Sequence, residues 1–247
     1  MHFRKPFARA TITLKSYRKD AMLTLYHGSR VRVEALRLDR CRPNNDYGAG
    51  FYCTEHVELA KEWACQIGVD GFCNEYRLDD AELSVINLNA DPYNALNWLA
   101  VLFENRLFSI STPTMQRGAQ WLAQHYAVDL TCADVVRGYR ADDSYFSFAR
   151  AFLRNEITVD QLVSAMHLGD LGEQFMLRSQ SAFDALEFVA ATPVDALTYW
   201  PLRNKRNLDA RAAFGDLVAR TDDRDEPGIY LSTLMTMGKE EADACLR

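Results

Sequence analysis

Two short segments of the sequence combine residue types that can hold a small molecule. Residues 26–29 (YHGS) place a histidine and a glycine at the end of a β-rich run. The ring nitrogens of His27 can hydrogen-bond a ligand hydroxyl, and Gly28 lets a ligand approach the backbone closely. Residues 46–54 (DYGAGFYCT) contain two glycines, which allow a tight loop beneath the aromatic ring of Tyr52. This ring can stack on a flat ligand, an arrangement worth about 0.5–1.5 kcal/mol beyond its burial.

These two segments, followed by residues 173–177 (EQFML), resemble the ADP-ribosyltransferase superfamily of the His-Tyr-Glu type, the branch of diphtheria toxin and the poly(ADP-ribose) polymerases. More closely, the sequence resembles a bacterial family of uncharacterised proteins placed in that superfamily. That family shares the YHGS opening and a D-[FY]-G-x-G-F-Y-x-T segment. It also shares a helix with A-x-x-W-A, here residues 60–64, and an A-D-D segment, here residues 141–143. The resemblance covers residues 23–188.

The resemblance implies that the protein binds NAD and transfers ADP-ribose from it. Cleavage of the bond between nicotinamide and its ribose has an oxocarbenium-like transition state, and the enzyme must hold the dinucleotide bent. By resemblance, His27 bonds a ribose hydroxyl, the Gly28 backbone holds the carboxamide, and Tyr52 stacks on the nicotinamide. We extend the predicted NAD contacts to four neighbouring residues: Ser29, Gly50, Phe51 and Thr54.

Each of these residues also has a purely structural interpretation. A histidine at a strand end, such as His27, is often structural or simply exposed. Tyr52 can be an ordinary core residue of a β-strand, and Ser29 can be a turn-forming residue. The order of the two segments and their spacing favour the NAD site for His27 and Tyr52, whereas both interpretations of Ser29 stay open.

The third segment departs from the best-studied transferases, which place a glutamate there. Its carboxylate bonds a hydroxyl of the nicotinamide ribose and stabilises the developing positive charge. We align Gln174 with that position and predict His27, Tyr52 and Gln174 as the catalytic residues. Because side chains alternate between the faces of a strand, either Gln174 or Glu173 points into the cleft, and a third alternative is that neither is catalytic. An amide lacks the charge, which suggests mono-transfer rather than chain elongation, or slower chemistry.

Residues 141–143 follow a predicted strand at 134–139 and supply candidates for contact with the acceptor. Asp142 or Asp143 would orient the acceptor or act as a base toward it, and Arg140 would bind a phosphate. The alternative for two acids before a helix is a favourable interaction with the helix N-terminus. A surface ion pair is an equally good explanation for Arg140.

These observations predict a NAD-dependent mono-ADP-ribosyltransferase that uses NAD as substrate, needs no metal and modifies a macromolecule. The acceptor is left open between protein and nucleic acid. The predicted context is a bacterial toxin or regulatory effector, in a toxin–antitoxin or phage-defence system with an antitoxin as partner. Two alternatives stay open: a NAD glycohydrolase on the same fold, with water as acceptor, and a catalytically weak module that binds NAD or a partner.

Composition narrows the class of protein further. The chain has 247 residues, 48% of them hydrophobic and 25% charged, which is typical of a soluble globular protein. No apolar run approaches the roughly 20 residues of a membrane-spanning helix. The net charge of −6 argues against a protein that wraps duplex nucleic acid by charge alone. The six cysteines form no C-x-x-C pair, so we expect reduced cysteines, a cytoplasmic location and no structural metal.

Strand and helix patterns alternate without a regular βαβ rhythm, which predicts an α+β fold. The resemblance implies the split β-sheet core of the ADP-ribosyltransferases, with inserted and C-terminal helices. We predict three parts: a basic N-terminal extension at 1–21, a transferase-like domain at 22–200 and a C-terminal helical extension at 201–247. The first part carries six basic residues against one acid. It is a solvated or loosely docked tail, a segment upstream of the real start at Met22, or a basic arm for targeting or for a partner.

Local patterns predict the individual elements. Strands are expected at 23–27, 50–54, 83–88, 134–139, 174–178 and 197–200. Helices are expected at 57–66, after Asp91-Pro92, after Thr112-Pro113, after the capping box of Thr158 and Gln161, at 183–188 and at 205–220.

Overall fold

The computed structural model describes residues 22–107, 110–141, 143–170, 172–219, 228–244 and 246. The predicted basic extension at 1–21 and the predicted acceptor contact Asp142 lie outside these ranges. Within them, no helix is both long enough and apolar enough to cross a membrane.

Seven strands of the described chain form two sheets. The first sheet is antiparallel, in the order β1-β3-β7, and consists of β1 (Leu23–Ser29), β3 (Gly71–Leu78) and β7 (Leu186–Val194). The second sheet has the order β2-β6-β5-β4 and consists of β2 (Phe51–Cys53), β6 (Glu173–Leu177), β5 (Val135–Tyr139) and β4 (Val85–Asn87). In it, β4 and β5 are parallel and the other pairs antiparallel.

The two sheets meet where β1 passes the end of β2. There the backbones of Tyr26 and Thr54 exchange two hydrogen bonds, of 2.7 and 2.9 Å between N and O. This bridge is isolated, so β1 and β2 separate after a single pair of residues. The separation opens a gap between the sheets on the side of His27 and Tyr52.

Helices cover the sheets and fill the connections between strands. They are α1 (Val57–Ala64), α2 (Ala95–Asn105), α3 (Pro113–His125), α4 (Asp143–Leu153), α5 (Val159–Ala165), α6 (Gln180–Asp184), α7 (Ala196–Ala219), α8 (Leu231–Leu234) and α9 (Lys239–Ala244). The predicted caps of α3 and α5 are confirmed: the Thr112 hydroxyl accepts from the Met115 N–H, and Thr158 and Gln161 form a capping box. The mixture of sheets and helices confirms the predicted α+β class.

Two of the predicted elements are wrong, and a third starts later than expected. The helix expected after Asp91-Pro92 is present as α2, but it begins only at Ala95, because the Asn94 side chain caps it by accepting from the N–H groups of Leu96 and Asn97. The helix expected at 183–188 is displaced, since α6 ends at Asp184 and β7 begins at Leu186. The strand expected at 197–200 is the first turn of α7.

The main hydrophobic core lies among α2, α3, α4 and α5, against the second sheet. A second cluster of buried side chains, which includes Leu25, Phe51 and Phe175, belongs to the strands of both sheets. The C-terminal segment is part of the main core, because Leu231 and Leu234 are fully buried in it. Helix α7 runs through position 200, where we predicted a boundary between domain and extension.

Candidate functional site

A cavity of about 880 Å³ opens where β1 and β2 separate. Seven of the residues predicted for NAD or acceptor binding line it: His27, Gly28, Ser29, Gly50, Phe51, Tyr52 and Arg140. Gln174 of β6, the predicted third catalytic residue, lines it as well. Its volume is within the range of about 300–1,000 Å³ that is usual for ligand pockets. The structure therefore brings the three sequence segments to one concave surface.

His27 spans the gap between the two sheets. Its Nδ1 lies 2.7 Å from the Tyr52 carbonyl oxygen of β2, and a carbonyl can only accept, so Nδ1 carries the proton. The ring also packs on Phe51, with 4.4 Å between centroids. Burial and the nearby Arg140 lower the pKa of His27, although the bond to the Tyr52 carbonyl opposes this shift. The neutral ring thus keeps an unprotonated Nε2, which can accept a hydrogen bond from a ligand hydroxyl.

The packing of α1 on β1 requires a glycine at position 28. A Cβ at this position would lie 2.0 Å from the Ala60 carbonyl oxygen and 2.7 Å from the Ala64 nitrogen, so α1 can pack on β1 only over a glycine. The Tyr26 backbone groups point toward Thr54, and backbone groups two residues apart on a strand point the same way. The N–H and C=O of Gly28 therefore face the β2 side, where the cavity opens.

Two hydrogen bonds hold the Tyr52 phenol in place. Its hydroxyl donates to the Gly48 carbonyl at 2.7 Å and accepts from the Tyr47 N–H at 3.0 Å. Burial raises the pKa of Tyr52, so the hydroxyl stays protonated and can make this donation. The ring is thereby fixed at the cavity wall in one orientation, as a stacking platform requires.

Gly50 and Phe51 line the cavity but are also determined by packing. A Cβ on Gly50 would approach the Met176 sulfur to 2.3 Å, so the glycine allows β2 to lie close to β6. Phe51 is buried against Tyr76 and Phe183 in edge-to-face contacts and supports the His27 ring from behind. Gly50 and Phe51 therefore position the residues beside them at the cavity: Gly50 sets the distance between β2 and β6, and Phe51 supports His27.

Asn74 of β3 lies outside the cavity lining but holds the site segment around His27 in place, a role that the sequence analysis missed. It is fully buried, and its Nδ2 donates to the carbonyl oxygens of His27 and Val31 and to the Ser29 hydroxyl, at 3.1–3.3 Å. Its Oδ1 accepts from the Val33 N–H at 2.9 Å. Ser29 is thus one of several groups through which Asn74 anchors the loop after β1. An asparagine inside a β-rich run was the available signal, because asparagine is depleted in strands.

The two residues at the start of β6 face opposite ways, as strand alternation predicts. Gln174 is 2% exposed and lines the cavity; its Nε2 donates to the Asp46 carboxylate at 2.8 Å. Glu173 lies outside the cavity lining, and its carboxylate accepts from Arg137 and from Asn89. The geometry therefore favours Gln174 over Glu173 as the third residue of the site.

Asp46 was part of the second segment but was not singled out as a site residue. It is buried with 5% exposure, and its Oδ2 also accepts from the Ala141 N–H at 3.0 Å. Its Oδ1 lies 3.3 Å from the Arg106 Nε. Asp46 thus connects the loop before β2, the C-terminal end of α2, the loop after β5 and Gln174 of β6.

Arginines dominate the charge of the cavity. Eight of the described residues that line it are arginines, against two acids, Glu34 and Asp46, in a chain whose net charge is −6. The eight are Arg30, Arg32, Arg37, Arg40, Arg42, Arg106, Arg140 and Arg203. The Arg140 guanidinium lies over the Trp63 ring of α1, with 3.1 Å from Cζ to the ring centroid. Such a lining is suited to a ligand that carries phosphate groups.

One predicted NAD contact is wrong. Thr54 is fully buried outside the cavity lining, where its hydroxyl donates to the Glu173 carbonyl and accepts from the His56 N–H, so it is structural. Asp143, a predicted acceptor contact, is the first residue of α4. This position also fits the alternative interpretation, in which the acid interacts favourably with the helix N-terminus.

The cysteines and acids of the described chain give no sign of a metal site. Among the described residues, no group of three or more His, Cys, Asp or Glu side chains is arranged to hold a metal ion. Cys41, Cys53, Cys65, Cys73 and Cys132 are free.

Comparison with protein-family models matched residues 23–188 to a family described as "Protein of unknown function (DUF3990)". The matched stretch is more than half of the chain. The chain belongs to this family. No curated protein and no solved structure matched it. In this DUF3990 protein the matched stretch contains His27, Asp46, Tyr52 and Gln174. Arg203 of the cavity lining, the whole of α7 and most of β7 lie beyond its C-terminal end.

The lowered pKa of His27 makes a prediction about stability. Between the folded pKa and the unfolded value of about 6.5, the unfolded chain binds the proton more tightly, so the free energy of unfolding falls as the pH drops through this window. Above about pH 6.5 the effect is absent. Urea denaturation at several pH values will show this loss as a difference between wild type and His27→Asn, whose amide still donates to the Tyr52 carbonyl. Identical pH profiles for the two proteins would contradict a buried neutral His27.

Proposed function

We propose that this DUF3990 protein is a NAD-dependent mono-ADP-ribosyltransferase that modifies a macromolecule. The observation that carries the proposal is the meeting of His27, the Gly28 backbone, Tyr52 and Gln174 in one arginine-lined cavity. Two distant sequence segments and a third strand must fold together to give this arrangement. The resemblance of the sequence to the His-Tyr-Glu transferases supports the same function, as does the split between the two sheets.

The β1–β2 gap suits the nicotinamide half of NAD. The Gly28 N–H and C=O provide one donor and one acceptor on the cavity side, which match the carbonyl and the amine of a carboxamide. The Tyr52 ring, fixed by its bonds to Gly48 and Tyr47, offers a face for the flat pyridinium ring. The unprotonated His27 Nε2 is an acceptor for a ribose hydroxyl.

Charge complementarity supports binding of the diphosphate of NAD in the same cavity. The diphosphate carries two negative charges, and the arginines of the lining outnumber its acids. Arg140 lies close enough to His27 to lower its pKa, which places this cation on the same side of the cavity as the proposed ribose contact. We assign Arg140 to the diphosphate rather than to an acceptor, because its guanidinium is held on Trp63 inside the cavity.

The reaction is a substitution at the ribose carbon that bears nicotinamide. The bond from this carbon to the nicotinamide nitrogen breaks, and the electron pair leaves with neutral nicotinamide. A nucleophilic atom of the acceptor forms the new bond and releases its proton to solvent. In this step Gln174 holds a ribose hydroxyl through its Oε1, since its Nε2 is already bonded to Asp46. The residues bind and orient; none of them needs to form a covalent bond to the substrate.

Incubation of the protein and a cell lysate with NAD labelled in its adenylate part tests the function. We expect label on macromolecules with the wild type, and a loss of at least about 100-fold with His27→Ala, because positioning of the reacting groups contributes several kcal/mol. Nuclease and protease treatment of the labelled fraction then identifies the acceptor. Thermal unfolding of both proteins, with and without NAD, separates lost chemistry from lost binding.

The control variant is Ser147→Ala, because Ser147 lies on α4 and does not line the cavity. Its label transfer is expected to stay at the wild-type level. Free ADP-ribose without labelled macromolecules would identify the NAD glycohydrolase alternative. Saturating NAD that neither shifts the melting temperature nor is consumed would contradict both activities. A role in a toxin–antitoxin or phage-defence system stays a prediction, which co-purification of an antitoxin would support.

A further inference from the structure

The buried carboxylate of Asp46 is bonded to the amide of the third catalytic position. Its Oδ2 accepts from the Gln174 Nε2 at 2.8 Å and from the Ala141 N–H at 3.0 Å. Its Oδ1 lies 3.3 Å from the Arg106 Nε. The Gln174 amide is oriented unambiguously, because Nε2 points at two acceptors, the Asp46 carboxylate and the Tyr139 carbonyl.

The surroundings of Asp46 favour its ionised form. The three groups that face the carboxylate, the Ala141 N–H, the Gln174 Nε2 and the Arg106 Nε, are all donors, and none of them can accept a hydrogen bond from a neutral carboxyl group. Burial has the largest effect and raises the pKa of Asp46, while Arg106, Gln174 and Arg140 offset part of this rise. The hydrogen-bond pattern is the stronger argument, because a protonated Asp46 would direct its O–H at another donor. Asp46 therefore places a negative charge at hydrogen-bond distance from the Gln174 amide nitrogen.

We infer that Asp46 is a positioning residue that supplies, through Gln174, the negative charge which a glutamate provides in related transferases. The inference rests on the proposed function. An amide that donates to a carboxylate is polarised, which makes its own oxygen a stronger acceptor. The Gln174 Oε1 would therefore bond a ribose hydroxyl more strongly as positive charge develops on the ribose. Asp46 also fixes the amide plane, so Oε1 is held ready without reorganisation.

This arrangement reverses an expectation that follows from the sequence alone. Judged by its charge alone, a Gln174→Glu change restores the usual glutamate and is expected to maintain or raise NAD turnover. In the structure, the new carboxylate would lie against Asp46, and two like charges at hydrogen-bond distance cannot both stay ionised. Gln174→Glu alone is therefore expected to lower both the melting temperature and the turnover of NAD.

Exchange of the two groups tests the inference. Four proteins are compared: wild type, Asp46→Asn, Gln174→Glu and the double variant with both changes. The double variant keeps one carboxylate and one amide but exchanges their places. The carboxylate at position 174 then faces the cavity and accepts a hydrogen bond from the amide at position 46. For each protein, kcat and KM for NAD consumption and the melting temperature are measured.

In Asp46→Asn we expect kcat to fall at least about tenfold with KM for NAD within about threefold, the pattern of an interaction used mainly in the transition state. The double variant is expected to have a kcat at least about tenfold above that of either single variant, because it again places one negative charge at the ribose. Its melting temperature should rise above that of Gln174→Glu. The recovery is partial, because the new amide nitrogen at position 46 cannot accept from the Ala141 N–H.

Three results would overturn the inference. The first is a kcat of Asp46→Asn within about threefold of wild type, since a tenfold loss is the effect of a group that acts in the transition state. The second is a double variant no more active than Gln174→Glu, which would make Asp46 merely structural; this comparison holds even if Asp46→Asn alone fails to fold. The third is a wild type that consumes no NAD, which would reject the proposed function itself. In the first two results the wild type consumes NAD, so the proposed function would stand.

Discussion

Gly28→Ala is expected to destabilise the folded protein by about 3 kcal/mol or more, at the upper end of the range for overpacking. The added methyl group would lie 2.0 Å from the Ala60 carbonyl oxygen and 2.7 Å from the Ala64 nitrogen. Both are backbone atoms of α1, so the clash can be relieved only by moving the whole helix. Urea denaturation measures the loss directly, and thermal unfolding should show a decrease of roughly 6–12 °C.

A matched glycine provides the control. Gly215 lies on an exposed part of α7, and a Cβ there would meet no atom within 4 Å. Gly215→Ala is therefore expected to stabilise the protein by about 0.5–1 kcal/mol, because alanine loses less backbone entropy in a helix. If Gly28→Ala were as stable as wild type, α1 would not be packed on β1 in the described way, and the position of Trp63 at the cavity would be in doubt.

The Gly28 result bears on how such a glycine is interpreted from sequence. The sequence analysis explained it by the approach of a ligand, whereas the structure shows that α1 occupies the space beside its Cα. Its peptide groups still face the cavity side of β1, so the packing is compatible with the ligand-based interpretation. A single residue can satisfy both requirements because the Cα substituent and the peptide groups point in different directions.

Much of the fold could be predicted, and the failures have local causes. Strand β1 has a glycine next to its last residue, and β2 and β6 each follow a glycine. Helices α3 and α5 begin at side-chain caps that are visible in the sequence. Strand β7 was missed because it is an edge strand with mostly exposed residues, so it lacks alternating hydrophobicity. The run LTYW at 197–200 has strand-like residues, but Asp195 caps it as a helix by accepting from the Leu197 N–H and the Thr198 hydroxyl.

The site residues could be predicted only where they lie in a recognisable sequence segment, as His27, Tyr52 and Gln174 do. His27 and Tyr52 lie in short segments with their own glycines, so each segment could be recognised by itself. Asp46 acts through Ala141 and Gln174, which are 95 and 128 residues away along the chain. Hydrogen bonds over such separations follow no sequence spacing. The same holds for Asn74, which organises the loop after β1 from 41 to 47 residues away.

Helix α7 lies entirely beyond the family match, yet an ion pair connects it to α1, which forms part of the cavity wall. The Glu62 carboxylate of α1 is almost fully buried and receives two hydrogen bonds of 2.9 Å from the Arg206 guanidinium, which also donates to the Gly169 carbonyl. Glu62 precedes Trp63, which holds Arg140 at the cavity. The extension is therefore expected to keep α1, and with it the cavity wall, in position.

Arg206→Ala is expected to lower the free energy of unfolding by about 3–5 kcal/mol, because it leaves the buried Glu62 charge without its partner. The exposed pair of Lys205 and Asp209 is the matched control on the same helix: both side chains are more than half exposed, so Lys205→Ala should change stability by less than about 0.5 kcal/mol. Glu62→Leu combined with Arg206→Met should recover most of the loss, since no buried charge remains. A loss below about 1 kcal/mol for Arg206→Ala would mean that α7 does not hold α1. If α7 does hold α1, Arg206→Ala should displace Trp63 and raise the KM for NAD. If it does not, the KM for NAD should be unchanged in this variant.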